Sequence, residues 1–127
     1  MTASWGYDNR TVALRVPAGP HKAMRIEHRV AGADANPYLV MAALLAGITA
    51  GIEQDLSPPS PVDGDAATQE LPSLPATWAE ALRTFSDSAF IREYLGGEFQ
   101  EIYAGIKQQE IEEFARHIDV LEYHSYL

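Results

Sequence analysis

Residues 25–29, Arg-Ile-Glu-His-Arg, hold the densest charged pattern in the chain. In an extended segment the side chains alternate, so Arg25, Glu27 and Arg29 share one face at about 6–7 Å spacing, and Ile26 and His28 take the other. A solvated strand face with alternating ion pairs would explain this segment alone, each pair contributing little. Arg15, on the polar side of the preceding extended segment, and Arg10, just after Asn9, shift the balance. Four guanidinium groups around one carboxylate repel each other unless an anion sits among them. A nucleotide triphosphate with Mg²⁺ meets that need. Guanidinium forks bind phosphate oxygens two at a time, and Glu27 offers an oxygen ligand to the metal. Lys22, between the two segments, adds a mobile point charge.

The elements that must position these groups follow from periodicity. Val12, Leu14 and Val16 alternate with Thr11, Ala13 and Arg15, which predicts a strand ended by Pro17-Ala18-Gly19-Pro20. Residues 24–30 alternate again, so an antiparallel strand pair is expected within about 10–30. Two strands alone form no stable sheet and leave open edges. Asn36 and Pro37 are suited to cap and begin a helix, and no charged residue occurs from Ala35 to Ile52. Such a helix asks for cover on all sides. Its alanines, two glycines and missing basic flank fit burial in a larger body better than a membrane span.

Residues 54–75 carry five of the eight prolines and predict an extended surface loop. Thr77-x-x-Glu80 is a capping box, Ser88 can cap a short helix, and Gly96-Gly97 can end it. A long helix should follow, with Phe99, Ile102, Tyr103, Ile106, Phe114 and Ile118 on its apolar side and Glu110, Glu112 and Glu113 solvated. The aromatic tail, 121–127, is expected to pack. The fold class is therefore α+β: an antiparallel strand pair, then four to five helices over about 36–118.

The chain has 127 residues, nine Lys plus Arg and eighteen Asp plus Glu, for a net charge of −9. One domain is expected at this length. No cysteine is present, which excludes a disulfide scaffold, a thiolate zinc site and a Cys nucleophile. Five cations (Arg10, Arg15, Lys22, Arg25, Arg29) fall in the first 30 residues against Asp8 and Glu27 alone. A compact basic cluster in an acidic chain suits a small polyanion, not a nucleic-acid duplex. Met1-Thr2-Ala3-Ser4-Trp5 has no basic or apolar leader character, so a cytoplasmic protein without a membrane partner is the expectation.

Four motifs then occur in order: Trp5-Gly6-Tyr7-Asp8-Asn9-Arg10-Thr11, Leu14-Arg15-Val16-Pro17, Arg25-Ile26-Glu27-His28-Arg29 and Ala33-Asp34-Ala35-Asn36-Pro37-Tyr38-Leu39. Together they resemble the C-terminal part of the glutamine synthetase catalytic domain, from about Trp5 to Leu127. The wording of Asp8–Val12, Glu27–Asp34 and Leu121-Glu122-Tyr123 is similar to the γ-glutamylpolyamine (γ-glutamylputrescine) synthetase branch.

The resemblance implies an ATP-dependent glutamate–amine ligase of nitrogen or polyamine metabolism. Such an enzyme forms a γ-glutamyl phosphate that ammonia, an amine or a polyamine attacks. It implies that Arg10 bridges the transferring phosphate and the substrate glutamate, that Arg15 and Lys22 hold ATP phosphates, and that Arg25 adds positive charge at the phosphoryl group. Glu27 becomes a ligand of Mg²⁺ or Mn²⁺, and Arg29 contacts glutamate. The strand pair becomes part of the family's active-site barrel, and a homo-oligomer or association with the rest of the catalytic domain is implied. The family's remaining metal ligands, amine-deprotonating base and adenine pocket have no counterpart here, so the chain corresponds to the last quarter to third of a member and is expected to be inactive alone. Gln69, before Glu70-Leu71-Pro72, stands where the adenylylated subtype has tyrosine. Asp34, Asn36, His21, His28, His117 and His124 are read as structural. The alternative is a non-catalytic fragment or pseudoenzyme module that acts through oligomer contacts.

Overall fold

Three short strands hold or border the charged residues. In the computed structural model, which describes residues 1–118 and 120–126, they are β1 (Trp5–Tyr7), β2 (Leu14–Val16) and β3 (Glu27–His28), ordered β1-β2-β3. The expected antiparallel pair is β2 with β3, in a register that sets Arg15 opposite Glu27. β1 was not anticipated: it lies parallel to β2, with Trp5 opposite Leu14. The strands are shorter than the period-two pattern suggests. Asn9 takes residues out of the ladder, because its Oδ1 accepts from Thr11 N (2.9 Å) and Thr11 Oγ1 (2.7 Å) and so closes a side-chain turn. His21–Ala23 form a 3₁₀ turn between β2 and β3.

These strands belong to the first of two compact units, Met1–Leu74; the second is Pro75–Leu127. The small core of the first unit is Val12 and Ala66, both fully buried, with Val62 and a flanking Leu71. Three of these four come from the proline-rich stretch, which therefore is not merely a surface loop. It has no long regular element, yet it is stitched to the N-terminal residues. Val62 N donates to Trp5 O (2.8 Å), Trp5 Nε1 to Pro59 O (2.7 Å), and Ala66 N to Thr11 Oγ1 (2.9 Å). Further on, Ala3 N donates to Pro72 O and Leu74 N to Met1 O. Asn9 Nδ2 adds bonds to Val62 O (3.1 Å) and Gly64 O (2.8 Å). Gly6 is required at this seam, since a Cβ there would lie 2.7 Å from Val62 O.

Helix α1 (Pro37–Glu53) starts as its sequence predicts: Asn36 Oδ1 accepts from Tyr38 N and Leu39 N, with Pro37 in the first turn. Ala46 and Ala50 are buried. Tyr38, Met41, Leu45, Ile48 and Ile52 are more than half exposed, and they recur at alternating steps of three and four. That is the spacing of one continuous helix stripe. Among the described residues, no helix is long and apolar enough to cross a membrane.

The second unit is helical: α2 (Trp78–Ser86), α3 (Ala89–Leu95), α4 (Gly97–Arg116) and α5 (Val120–Tyr126). The capping box of Thr77 and Glu80 starts α2, Ser88 Oγ caps α3 at Ile91 N, and Gly96 joins α3 to α4 at φ +93°. Phe85 meets Phe99 and Tyr103, whereas Trp78 meets Phe114 (ring centroids 5.2–6.4 Å), so α2 and α4 run antiparallel. Only part of the expected apolar side of α4 is covered; Ile102, Ile106 and Phe114 are about half exposed or more, and Ile118 lies past the helix end. Gln100, 2% exposed, instead turns inward: its Nε2 donates to the carbonyls of Phe85, Ser86 and Ser88. In the tail Tyr123 is exposed. The side chains of Leu121, Glu122 and Tyr126, and all of Leu127, lie outside the described residues.

Candidate functional site

The polar face of the three-stranded sheet gathers four charged side chains. Because Arg15 and Glu27 are cross-strand partners, their side chains leave the sheet on the same side and meet at 3.0 Å, Arg15 Nη1 to Glu27 Oε2. Arg25 Nη2 and Nε reach the other oxygen, Glu27 Oε1, at 2.9 and 3.2 Å. Arg15 Nη2 donates to Asp8 Oδ1 at 2.9 Å, and the same oxygen accepts from Ala18 N at 2.9 Å. The cluster therefore alternates Asp8, Arg15, Glu27, Arg25. Its middle is the least exposed part: the Arg15 side chain is 16% exposed and that of Glu27 28%.

The titration behaviour follows from this geometry. Partial burial pushes the Glu27 carboxyl up, but the hydrogen bonds and charges of Arg25 and Arg15 outweigh it and hold the group below its ordinary value. The Ala18 amide holds Asp8 below the usual carboxylate range; burial opposes it, and the hydrogen bond and charge of Arg15 add to the lowering. Arg15 moves upward, chiefly through its bond to Glu27. All three stay charged at neutral pH.

The six residues expected at the site divide into two groups. Arg15, Arg25 and Glu27 are in direct contact. Arg10 in the turn after β1, Lys22 in the 3₁₀ turn and Arg29 just past β3 are exposed and make no ion pair among the described residues. Asp8, one of two acidic residues among the N-terminal cations in the sequence, joins the cluster in the structure. Its place there depends on the backbone: it adopts φ +45°, a left-handed conformation that Asp and Asn tolerate better than most residues. Arg15 Nε is buried and has no hydrogen-bond partner, which leaves a guanidinium donor unused inside the cluster.

A divalent cation is a poorer match to these residues than an anion. Both Glu27 oxygens already accept from guanidinium groups, and among the described residues no three His, Asp or Glu side chains are grouped to hold a metal. One or two carboxylates do not complete an octahedral oxygen shell. The residues of this chain do not fit such an ion by themselves. An anion with several oxygens has many donors available, from the unpaired cations and the spare N–H groups of Arg15 and Arg25.

The opposite face of the sheet is apolar. It borders a cavity of about 650 Å³ lined by Trp5, Leu14, Val16, Ile26 and His28, together with Leu44 of α1. His28 thus sits on the face away from Glu27, as strand alternation requires.

Comparison with known proteins gives a single answer. The family model described as glutamine synthetase, catalytic domain, matches residues 1–126. Gamma-glutamylputrescine synthetase PuuA of Escherichia coli is 46% identical over 94% of this chain and 25% of its own length. Glutamate–isopropylamine ligase of a Pseudomonas species is 40% identical over 94% of this chain and 28% of its own. The structure of apo GmaS without ligand superposes with a TM-score of 0.79 at 27% identity, over 98% of this chain and 30% of that one. The chain spans about a quarter of the length of the curated relatives it matches. Its four sequence motifs, its strand-and-helix architecture and the match over nearly all of its residues agree: this chain belongs to the glutamine synthetase catalytic-domain family.

Proposed function

We propose that this chain supplies the phosphate-facing strands of an ATP-dependent glutamate–amine ligase, of the kind that makes γ-glutamyl amides through a γ-glutamyl phosphate. The observation that carries the reading is the contact cluster Arg15, Glu27 and Arg25 on one sheet face, with the unpaired Arg10, Lys22 and Arg29 in the segments that join or follow the strands. Phosphoryl transfer asks a protein mainly for positioning and charge neutralisation, and guanidinium groups provide both.

In this reading Arg15 and Lys22 bind ATP phosphates, Arg25 faces the transferring phosphoryl group, Arg10 reaches both that group and glutamate, and Arg29 contacts glutamate. Glu27 orients Arg15 and Arg25 in the structure described here. It offers at most one carboxylate to a Mg²⁺ or Mn²⁺ ion, so no step is routed through the metal. The names of the relatives support an amine as the second substrate, and putrescine and isopropylamine are the examples they give. The residues 1–127 are one catalytic-domain segment, inactive alone and competent with the rest of such a domain or in a homo-oligomer.

A second reading, a non-catalytic module acting through oligomer contacts, is favoured by the exposed stripe of Tyr38, Met41, Leu45, Ile48 and Ile52. Calorimetric titration of Mg-ATP into the chain separates the two, with Arg15→Ala as control. Saturable binding that the control loses supports the phosphate site. No binding by the unmodified chain, together with stable self-association, supports the module.

A further inference from the structure

We propose that Asp8 is a positioning residue for Arg15, holding its guanidinium in place for the phosphate group that Arg15 binds in the proposed function. This deepens that reading and rests on it. Three observations point the same way. First, one oxygen of Asp8 accepts two bonds at 2.9 Å, from Arg15 Nη2 and from the Ala18 amide just past β2. The carboxylate is thus anchored to backbone before it touches the guanidinium. Second, Asp8 sits directly after β1 at φ +45°, and its own amide donates to Val16 O at 3.0 Å. A left-handed residue there turns the chain so that its side chain meets the end of the neighbouring strand.

Third, Asp8 and Glu27 take different nitrogens of Arg15, Nη2 and Nη1. A guanidinium held by one acceptor can still swing about its terminal bonds. Held at both terminal nitrogens by acceptors on two separate segments, the turn after β1 and strand β3, it keeps one plane, and the buried Nε–H and the spare Nη–H groups keep fixed directions. Asp8 itself need not touch substrate; its carboxylate would repel a phosphate at close range. Its contribution is geometric, and a neutral acceptor of the same shape should serve.

The test uses the full chain and inorganic tripolyphosphate as the probe, followed by calorimetry. Asp8→Gly removes the acceptor yet keeps a residue at ease with positive φ, and Asp8→Asn keeps an acceptor without the charge. Far-UV circular dichroism checks that both variants fold. The expected result is binding about tenfold weaker in Asp8→Gly, the scale of one lost hydrogen bond to a charged group. Asp8→Asn should restore affinity to within about threefold on the same scale. Equal or tighter binding by Asp8→Gly overturns the proposal. If the unmodified chain binds no tripolyphosphate, the phosphate reading fails separately. Asp8 is then judged by proton NMR of the Arg15 side chain. Slowly exchanging Nη2 signals, present in the unmodified chain and in Asp8→Asn but lost in Asp8→Gly, support positioning. Signals unchanged in Asp8→Gly refute it.

Discussion

Arg15 and Glu27 are partners twice over: their backbones stand opposite in the β2–β3 register, and their side chains close at 3.0 Å on one face of the sheet. The pairing makes the strand register and the charge cluster a single structure. A slip of one residue would send Glu27 to the apolar face beside Leu14 and Val16.

The cluster should respond to acid. Glu27 and Asp8 both titrate below their ordinary values of 4.5 and 3.8, Glu27 through Arg25 and Arg15, Asp8 through the Ala18 amide and Arg15. A carboxyl lowered in the folded state stabilises it fully above the unfolded value and loses that contribution as pH falls through the folded one. Stability of the first unit should therefore be flat from neutral pH to about 5 and decline below about 4. Carbon-13 NMR titration of the two carboxyls checks this, and Arg15→Met should move both midpoints back up.

Gly6→Ala should be badly tolerated. The new methyl would meet Val62 O at 2.7 Å and Asn9 Cβ at 3.2 Å, while the Val62 amide is already bonded to Trp5 O. Overpacking of this kind costs about 1–3 kcal/mol. Urea denaturation should show the loss, and hydrogen exchange should show it at the Val62 amide first.

Gln100→Leu should loosen the second unit by about 2–3 kcal/mol, because the carbonyls of Phe85, Ser86 and Ser88 lose a shared donor where α2 passes into α3. Chemical denaturation followed by the helical circular dichroism signal measures it. An unchanged midpoint would show that solvent replaces the amide.

The exposed stripe on α1 should drive association of the chain in isolation. Tyr38, Met41, Leu45, Ile48 and Ile52 form an apolar line with the spacing of a helix–helix seam. Sedimentation equilibrium should give a mass above 13.9 kDa that rises with concentration, and the double change Leu45→Lys with Ile48→Lys should return it to the monomer value. A monodisperse monomer before any substitution would contradict the expectation.

How legible was this in the sequence? Local rules worked where one side chain decides a backbone outcome. Asn36, Thr77, Ser88 and Gly96 each mark a helix end in the structure where their chemistry predicts one. The antiparallel pair was visible because alternation survives in so few residues. β1 was not visible: three residues carry no period, and a parallel neighbour ordinarily needs a crossover far longer than residues 8–13. Spacing sets Arg25 and Glu27 on one face and alternation sets Arg15 on the polar side of the neighbouring strand, and the three side chains meet in the structure. Asp8 was missed because its role depends on a left-handed turn, and Gln100 because a glutamine on a polar helix reads as solvated until its neighbours are placed.

The stitching of the proline-rich stretch has an entropic side. Pro58, Pro59, Pro61 and Pro72 lie in or beside the residues that bond Met1, Ala3, Trp5, Asn9 and Thr11. Each ring fixes one torsion before folding begins, so the disordered chain has fewer conformations to surrender when the stretch is drawn across the strands. A segment with no regular secondary structure can therefore serve as a tether for the first unit. Its contribution is held as much in the restricted freedom of the unfolded chain as in the contacts of the folded one.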